Sequence, residues 1–145
     1  MPPSPRPDTR FTLDDFMLFP DDGKRHEIVI FSFHDVVEPD LLVITADQLD
    51  ILTDKNVQGA PALVVEIQSP TTRRRDQTLK HRLFDRGGVR EYWLVDPDRN
   101  RVRVFRRSSE GSFPMALEPS LDSGGVLTTP VLPGFVVDVA VIFAD

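Results

Sequence analysis

Apolar runs separated by short polar turns divide this chain into alternating strand and helix signals. His26 to Phe33 is rich in β-branched and aromatic residues, which predicts a strand. Leu41 to Ile44, entered through Pro39-Asp40, predicts a second. Thr45 with Gln48 three residues later has the form of a capping box and predicts a short helix to about Leu52. Ala62 to Ile67 is continuously apolar except for Glu66, the look of a central strand covered on both faces. Thr71 or Thr72 then caps a helix to about Arg86. Leu79, Leu83 and Phe84 form its apolar stripe, and Gly87-Gly88 ends it. Tyr92 to Val95 is another strand, with Tyr92 and Trp93 on opposite faces, one toward the core and one toward water. After the turn Asp96 to Asn100, Arg101 to Arg106 alternates as the returning hairpin arm.

The flanks are less regular. Met1 to Arg10 carries four prolines and reads as a disordered leader. Thr12 to Asp15 resembles a capping box, with Asp in place of Glu, for a short helix to about Phe19, and Pro20 to Gly23 is a turn. Ser108 to Gly125 is a polar loop, and Val126 to Leu132 and Phe135 to Val139 are short terminal strands. The order predicts an α+β fold, a mixed central sheet flanked by helices. It forms one domain over residues 11–145, behind a leader at 1–10.

Composition narrows the chemistry. The chain has 145 residues, enough for one domain with a core, and no cysteine, which removes disulfides, thiolate metal sites and cysteine nucleophiles. No apolar run could span a bilayer, so the expectation is a cytoplasmic protein with no membrane partner. The net charge of −6 argues against generic affinity for a phosphate backbone. Between Arg73 and Arg86, however, six basic residues face two acidic ones. That stretch is either a solvated helix face or a local anion-binding surface.

The acids and one lysine carry the chemical signal. Asp40 starts one strand and Glu66 lies inside the next long one, so neighbouring strands bring the two carboxylates to one end of a sheet. A bare carboxylate in a buried strand is costly, so Glu66 must be paired, protonated or metal-bound. A hard divalent cation takes oxygen ligands and keeps waters, so one or two carboxylates and a main-chain carbonyl suffice. Lys80 is the lysine within range. It lies four residues after Asp76 on one helix face, and the two could equally form a plain surface ion pair. The three histidines, His26, His34 and His81, have no metal-ligand spacing. Ser69 has no His/Asp partner pattern for nucleophilic chemistry.

The longer motif is more specific. Pro39-Asp40, the run Gly59 to Thr72 with its Val-Glu-Ile-Gln-Ser-Pro, Arg75-Asp76 with Lys80, and Gly88 to Pro97 with its Glu-Tyr-Trp-Leu-Val-Asp-Pro resemble the Uma-type restriction endonuclease family. That family lies within the PD-(D/E)xK nuclease superfamily. Leu13 to Phe16, Pro20 to Gly23, Glu27 and Leu132 to Phe135 resemble its flanking pattern. The resemblance covers most of the chain. It implies a restriction-endonuclease-like fold, a Mg²⁺ (or Mn²⁺) site at Asp40 and Glu66 with a further acid at Glu27, and DNA as substrate. The superfamily's lysine normally stands two residues after the strand Glu. Gln68 stands there, where it could hydrogen-bond a metal water, and Lys80 on the following helix is the matching lysine. Read as an anion-binding surface, the basic stretch makes Arg73, Arg74 and Arg75 the candidate phosphate contacts.

One departure bears on activity. Only twelve residues separate Glu27 from Asp40, where the family pattern implies an additional helix and strands. A sheet lacking that cover exposes apolar surface unless a partner chain supplies it, so a homo-oligomer, in the simplest case a homodimer, is expected. Two functions follow: a Mg²⁺-dependent DNA endonuclease, or a catalytically inactive descendant serving as a nucleic-acid-binding or protein-interaction module.

Overall fold

The computed structural model describes residues 28–32, 35–69, 74–108, 111, 113 and 117–144, with residues 74–76 described by their backbone alone. Among them, nine strands and two α-helices form a mixed α+β architecture. The centre is a four-stranded sheet in the order β3-β5-β6-β7, made of β3 (Leu41–Val43), β5 (Leu63–Ile67), β6 (Glu91–Asp96) and β7 (Arg101–Arg106). Strand β3 runs antiparallel to β5, β5 parallel to β6, and β6 antiparallel to β7. The parallel step needs a crossover, and α1 (Arg74–Gly87) supplies it.

The sheet is covered on both faces, which corrects the expectation that either Tyr92 or Trp93 faces water. Tyr92 is 1% exposed and Trp93 6%. Tyr92 packs with Val64, Phe84, Val89, Leu94 and Phe105 on the helix-bearing face. Trp93 packs on the opposite face with Leu63, Val102, Val104, Leu127 and Val139. That second layer comes from the C-terminal hairpin, β8 (Val126–Thr128) with β9 (Val136–Asp138), and the short α2 (Val139–Ile142). These strands are shorter than their apolar pattern predicts, and α2 was not anticipated. Asp138 starts it by accepting a hydrogen bond from the Ala140 N–H.

A second sheet, order β2-β1-β4, combines β1 (Val29–Ser32), β2 (Asp35–Val37) and β4 (Val57–Gln58). So the segment before Asp40 holds a hairpin rather than one strand running on. Phe31 of β1 meets Phe84 edge-on at 6.2 Å, and Arg86 pairs with Asp35 at 3.0 Å, which fixes this sheet against the end of α1. Thr45 and Gln48 make the expected capping box, but the element it opens, Ala46–Ile51, is a 3-10 helix. Within the predicted loop 108–125, Leu117 and Ser120 lie beside β7, bridged to Val104 and Arg101. The predicted leader, the first short helix and its turn lie outside the described residues. No helix among the described residues is long and apolar enough to cross a membrane.

Candidate active site

Strand register brings Asp40 and Glu66 together. Leu41 pairs with Val65, and one further antiparallel step sets Asp40 beside Glu66. The Ile67 N–H donates to Asp40 Oδ2 at 2.7 Å, so the backbone of β5 holds the Asp40 carboxylate at the strand edge. Glu66 points to the helix-bearing face and is 4% exposed. Lys80, half-buried on α1, donates to Glu66 Oε2 at 3.1 Å. The three heads therefore converge, and Lys80 has Glu66 as a partner on the sheet.

The electrostatics follow from that placement. Burial raises the Glu66 carboxyl to about 7, against the lowering effect of Lys80, and the adjacent Asp40 pushes the same way as burial. One oxygen, Glu66 Oε1, is buried and receives no hydrogen bond from a described donor; its neighbour is the Asp40 carboxylate, to which the protonated form of Glu66 donates. When Glu66 is ionised, no described donor meets that oxygen; buried polar atoms are rarely left so, and a carboxylate oxygen facing a second carboxylate is suited to a cation. Among the described residues no group of three or more His, Cys, Asp or Glu gathers, so the donors here are two carboxylates. That set fits a hard divalent ion which keeps waters, and it does not fit a caged structural metal.

The other expected site residues divide. Gln68 follows β5, half-buried, its N–H bonded to the Val95 carbonyl at 2.8 Å. Arg74, Arg75 and Asp76 lie in the first turn of α1, with their side chains outside the described part, and Glu27 and Arg73 lie wholly outside it. The basic run of the helix is not one open face: Arg86 is committed to Asp35, whereas among the described residues Arg82 has no carboxylate partner.

Two neighbours of the cluster escaped the sequence reading. Tyr92 has a buried hydroxyl without a hydrogen-bond partner, and burial, with the charges of Glu66 and Asp40 adding to it, raises its pKa. Arg103 stands opposite Leu94, which stands opposite Glu66, so it shares their sheet face. The hairpin register set at Asp96 to Asn100 contains that information.

Residues 15–140 match the model of the Uma2 family, described as "Putative restriction endonuclease". Among solved structures, the chain is similar to one described as a putative nuclease belonging to DUF820 from Anabaena variabilis, with a TM-score of 0.66 and 18% sequence identity. The similarity covers 83% of this chain and 66% of that one, so the chain spans just under two thirds of that protein's length. At that identity the likeness fixes the fold. No curated protein matches the chain.

Proposed function

This chain belongs to the Uma2 family, and we propose that it is a metal-dependent DNA endonuclease of the PD-(D/E)xK type. Asp40 and Glu66 hold Mg²⁺ (or Mn²⁺), and Glu27 is a further acidic contributor. The observation that carries this reading is the convergence of Asp40, Glu66 and Lys80, with Glu66 Oε1 buried and receiving no hydrogen bond from a described donor. When bound, such a cation supplies a more acidic water and positive charge against the phosphoryl oxygens of the transition state.

This chain's own residues supply the positioning. The Ile67 N–H fixes one Asp40 oxygen and leaves the other for a ligand. The Lys80 ammonium fixes Glu66 Oε2 and leaves Oε1 in the same way. With its head between Glu66 and the helix surface, Lys80 also steadies negative charge on an attacking oxygen. Gln68 hydrogen-bonds a water near the cation, and Arg73, Arg74 and Arg75 take phosphates of the strand. The half-exposed Lys80 side chain, beside a Glu66 that is nearly closed off, keeps the site open on the helix side, where a strand must enter.

Cleavage of supercoiled plasmid tests this. In Mg²⁺ the parent chain is expected to nick and linearise DNA, and chelator is expected to stop it. Lys80→Ala should lower the single-turnover rate by about 100-fold or more. Glu66→Gln should abolish cutting, with both variants still melting cooperatively. Equal cleavage by parent and variants would remove the assignment.

A further inference from the structure

On the same sheet face as the Asp40–Glu66 pair, a cavity of about 320 Å³ opens between α1 and strands β6 and β7. His81 and Arg82 from the helix and Tyr92, Leu94, Arg103 and Phe105 from the sheet line it. The wall is aromatic and specific in geometry. His81 meets Phe105 edge-on at 4.5 Å, and Tyr92 stacks on Phe105 with 15° between the rings and 5.5 Å between their centres. Burial lowers the His81 pKa, opposed by Asp85 and aided by Arg103 and Arg82, so its ring is a neutral aromatic surface with one donor and one acceptor.

The rim is cationic. Arg82 has no carboxylate partner among the described residues, and Arg103 uses Nε on the exposed Glu118 at 3.0 Å. Tyr92 belongs to both places: it lines the cavity, and its buried hydroxyl has no hydrogen-bond partner. Charge at the rim and flat aromatic walls together describe a nucleotide better than an apolar ligand or a bare phosphate.

Position supports the same occupant. Glu66, Leu94 and Arg103 stand side by side across three strands. At a strand spacing of ~4.8 Å, Arg103 lies about 10 Å from Glu66, roughly three stacked base steps of ~3.4 Å. A strand with its reacting phosphate at Glu66 therefore reaches the cavity within a few nucleotides. The volume is at the small end of the ~300–1,000 Å³ range of ligand pockets, room for one base and not for a base pair. A base can enter only after leaving its stack.

We propose that this cavity holds one unpaired nucleotide of the substrate strand, its base against His81 and Phe105 and its phosphate at Arg82 and Arg103. The assignment rests on the nuclease reading for the identity of the polymer. It makes the preferred substrate single-stranded DNA, or duplex DNA carrying an extrudable base.

The test is equilibrium binding to the full chain in chelator, so that no metal or cleavage is required. The probes are a labelled oligothymidylate, the same backbone without bases, a perfect duplex, and a duplex with one bulged base. The parent should bind the oligothymidylate about tenfold or more tighter than the abasic strand, and the bulged duplex tighter than the perfect one. His81→Leu should remove the preference for bases while leaving abasic binding unchanged. Arg82→Gln should weaken both single strands together, and thermal melting checks that both variants fold. Equal affinity of the parent for normal and abasic strands overturns the proposal, as does an unchanged base preference in His81→Leu, or a perfect duplex bound as tightly as the single strand. Preference for single-stranded over bulged DNA assigns an already unpaired substrate, and the reverse assigns extrusion. Base preference without any metal binding would leave the subsite standing and remove the nuclease reading; metal-dependent cleavage with no base preference would do the opposite.

Discussion

Glu66 shows what one residue in a pattern can and cannot disclose. An acid inside an apolar strand must be compensated, and that much follows from the sequence. Its compensator, Lys80, lies fourteen positions away, on a helix whose own spacing pointed to Asp76. Only packing of the helix on the sheet brings that lysine to Glu66. The pair also makes a prediction of sign. With its carboxyl raised to about 7 from 4.5, folded protein binds a proton that the unfolded chain releases, so this group's contribution to stability is complete below about pH 4.5 and is lost as pH rises through about 7. In metal-free buffer, Glu66→Gln should therefore melt higher than the parent at pH 8, by a few kcal/mol at most, with the gap closing toward pH 5. Thermal melts across that range check it, and a variant less stable at pH 8 would show that the ionised pair is stabilising. Tyr92 was legible as a strand residue, but its burial was not, because alternation alone does not say that both faces of a sheet are covered.

At the scale of elements, long periodic segments were readable, and so was the three-residue β3 behind Pro39-Asp40, whereas several other short strands were not. The helix over Arg74–Gly87 and the hairpin arm Arg101–Arg106 follow from apolar spacing and turn residues. Strands of two or three residues, such as Val57–Gln58 and Asp35–Val37, carry too few positions for a period, and they exist because a neighbour pairs with them. Glu91, which opens the Glu-Tyr-Trp-Leu-Val-Asp-Pro run, illustrates a related limit. It is fully buried at the start of β6, where it accepts from Trp93 Nε1 and Thr129 Oγ1, each at 2.7 Å, and from Arg106. It ties β6 to β7 and to residues after β8, so its role is architectural. Glu91→Ala should destabilise the fold by about 3 kcal/mol, seen as a lower denaturant midpoint, and a change under 1 kcal/mol would mean the network is dispensable. Gly87 is a second such point: an added Cβ would lie 2.5 Å from the Phe31 ring, so Gly87→Ala should cost about 1–3 kcal/mol, read by the same titration.

For the molecule as a whole, the proposed action on DNA requires an acidic protein to concentrate its positive charge. The net charge is −6, and the helix after Gln68 carries much of the basic excess. Binding to oligonucleotides should weaken steeply with salt, and a salt-independent affinity would show that phosphate contacts contribute little. The homodimer expected from the sequence has a candidate surface. Leu41 and Ile67 lie diagonally across the β3–β5 pair, 55% and 56% exposed, at the edge strand of the central sheet. Sedimentation at micromolar concentration should give a dimer, and a monomer would remove that expectation. The hairpin before Asp40 could not be read from a single sequence, since it consists of segments that only pairing defines. The central claim remains that Asp40 and Glu66 meet on one divalent cation. Calorimetric titration with Mn²⁺ at pH 7 tests it most directly: the account predicts saturable binding by the parent with proton release from Glu66, and none by Glu66→Gln, whereas equal binding by both, or by neither, would contradict it.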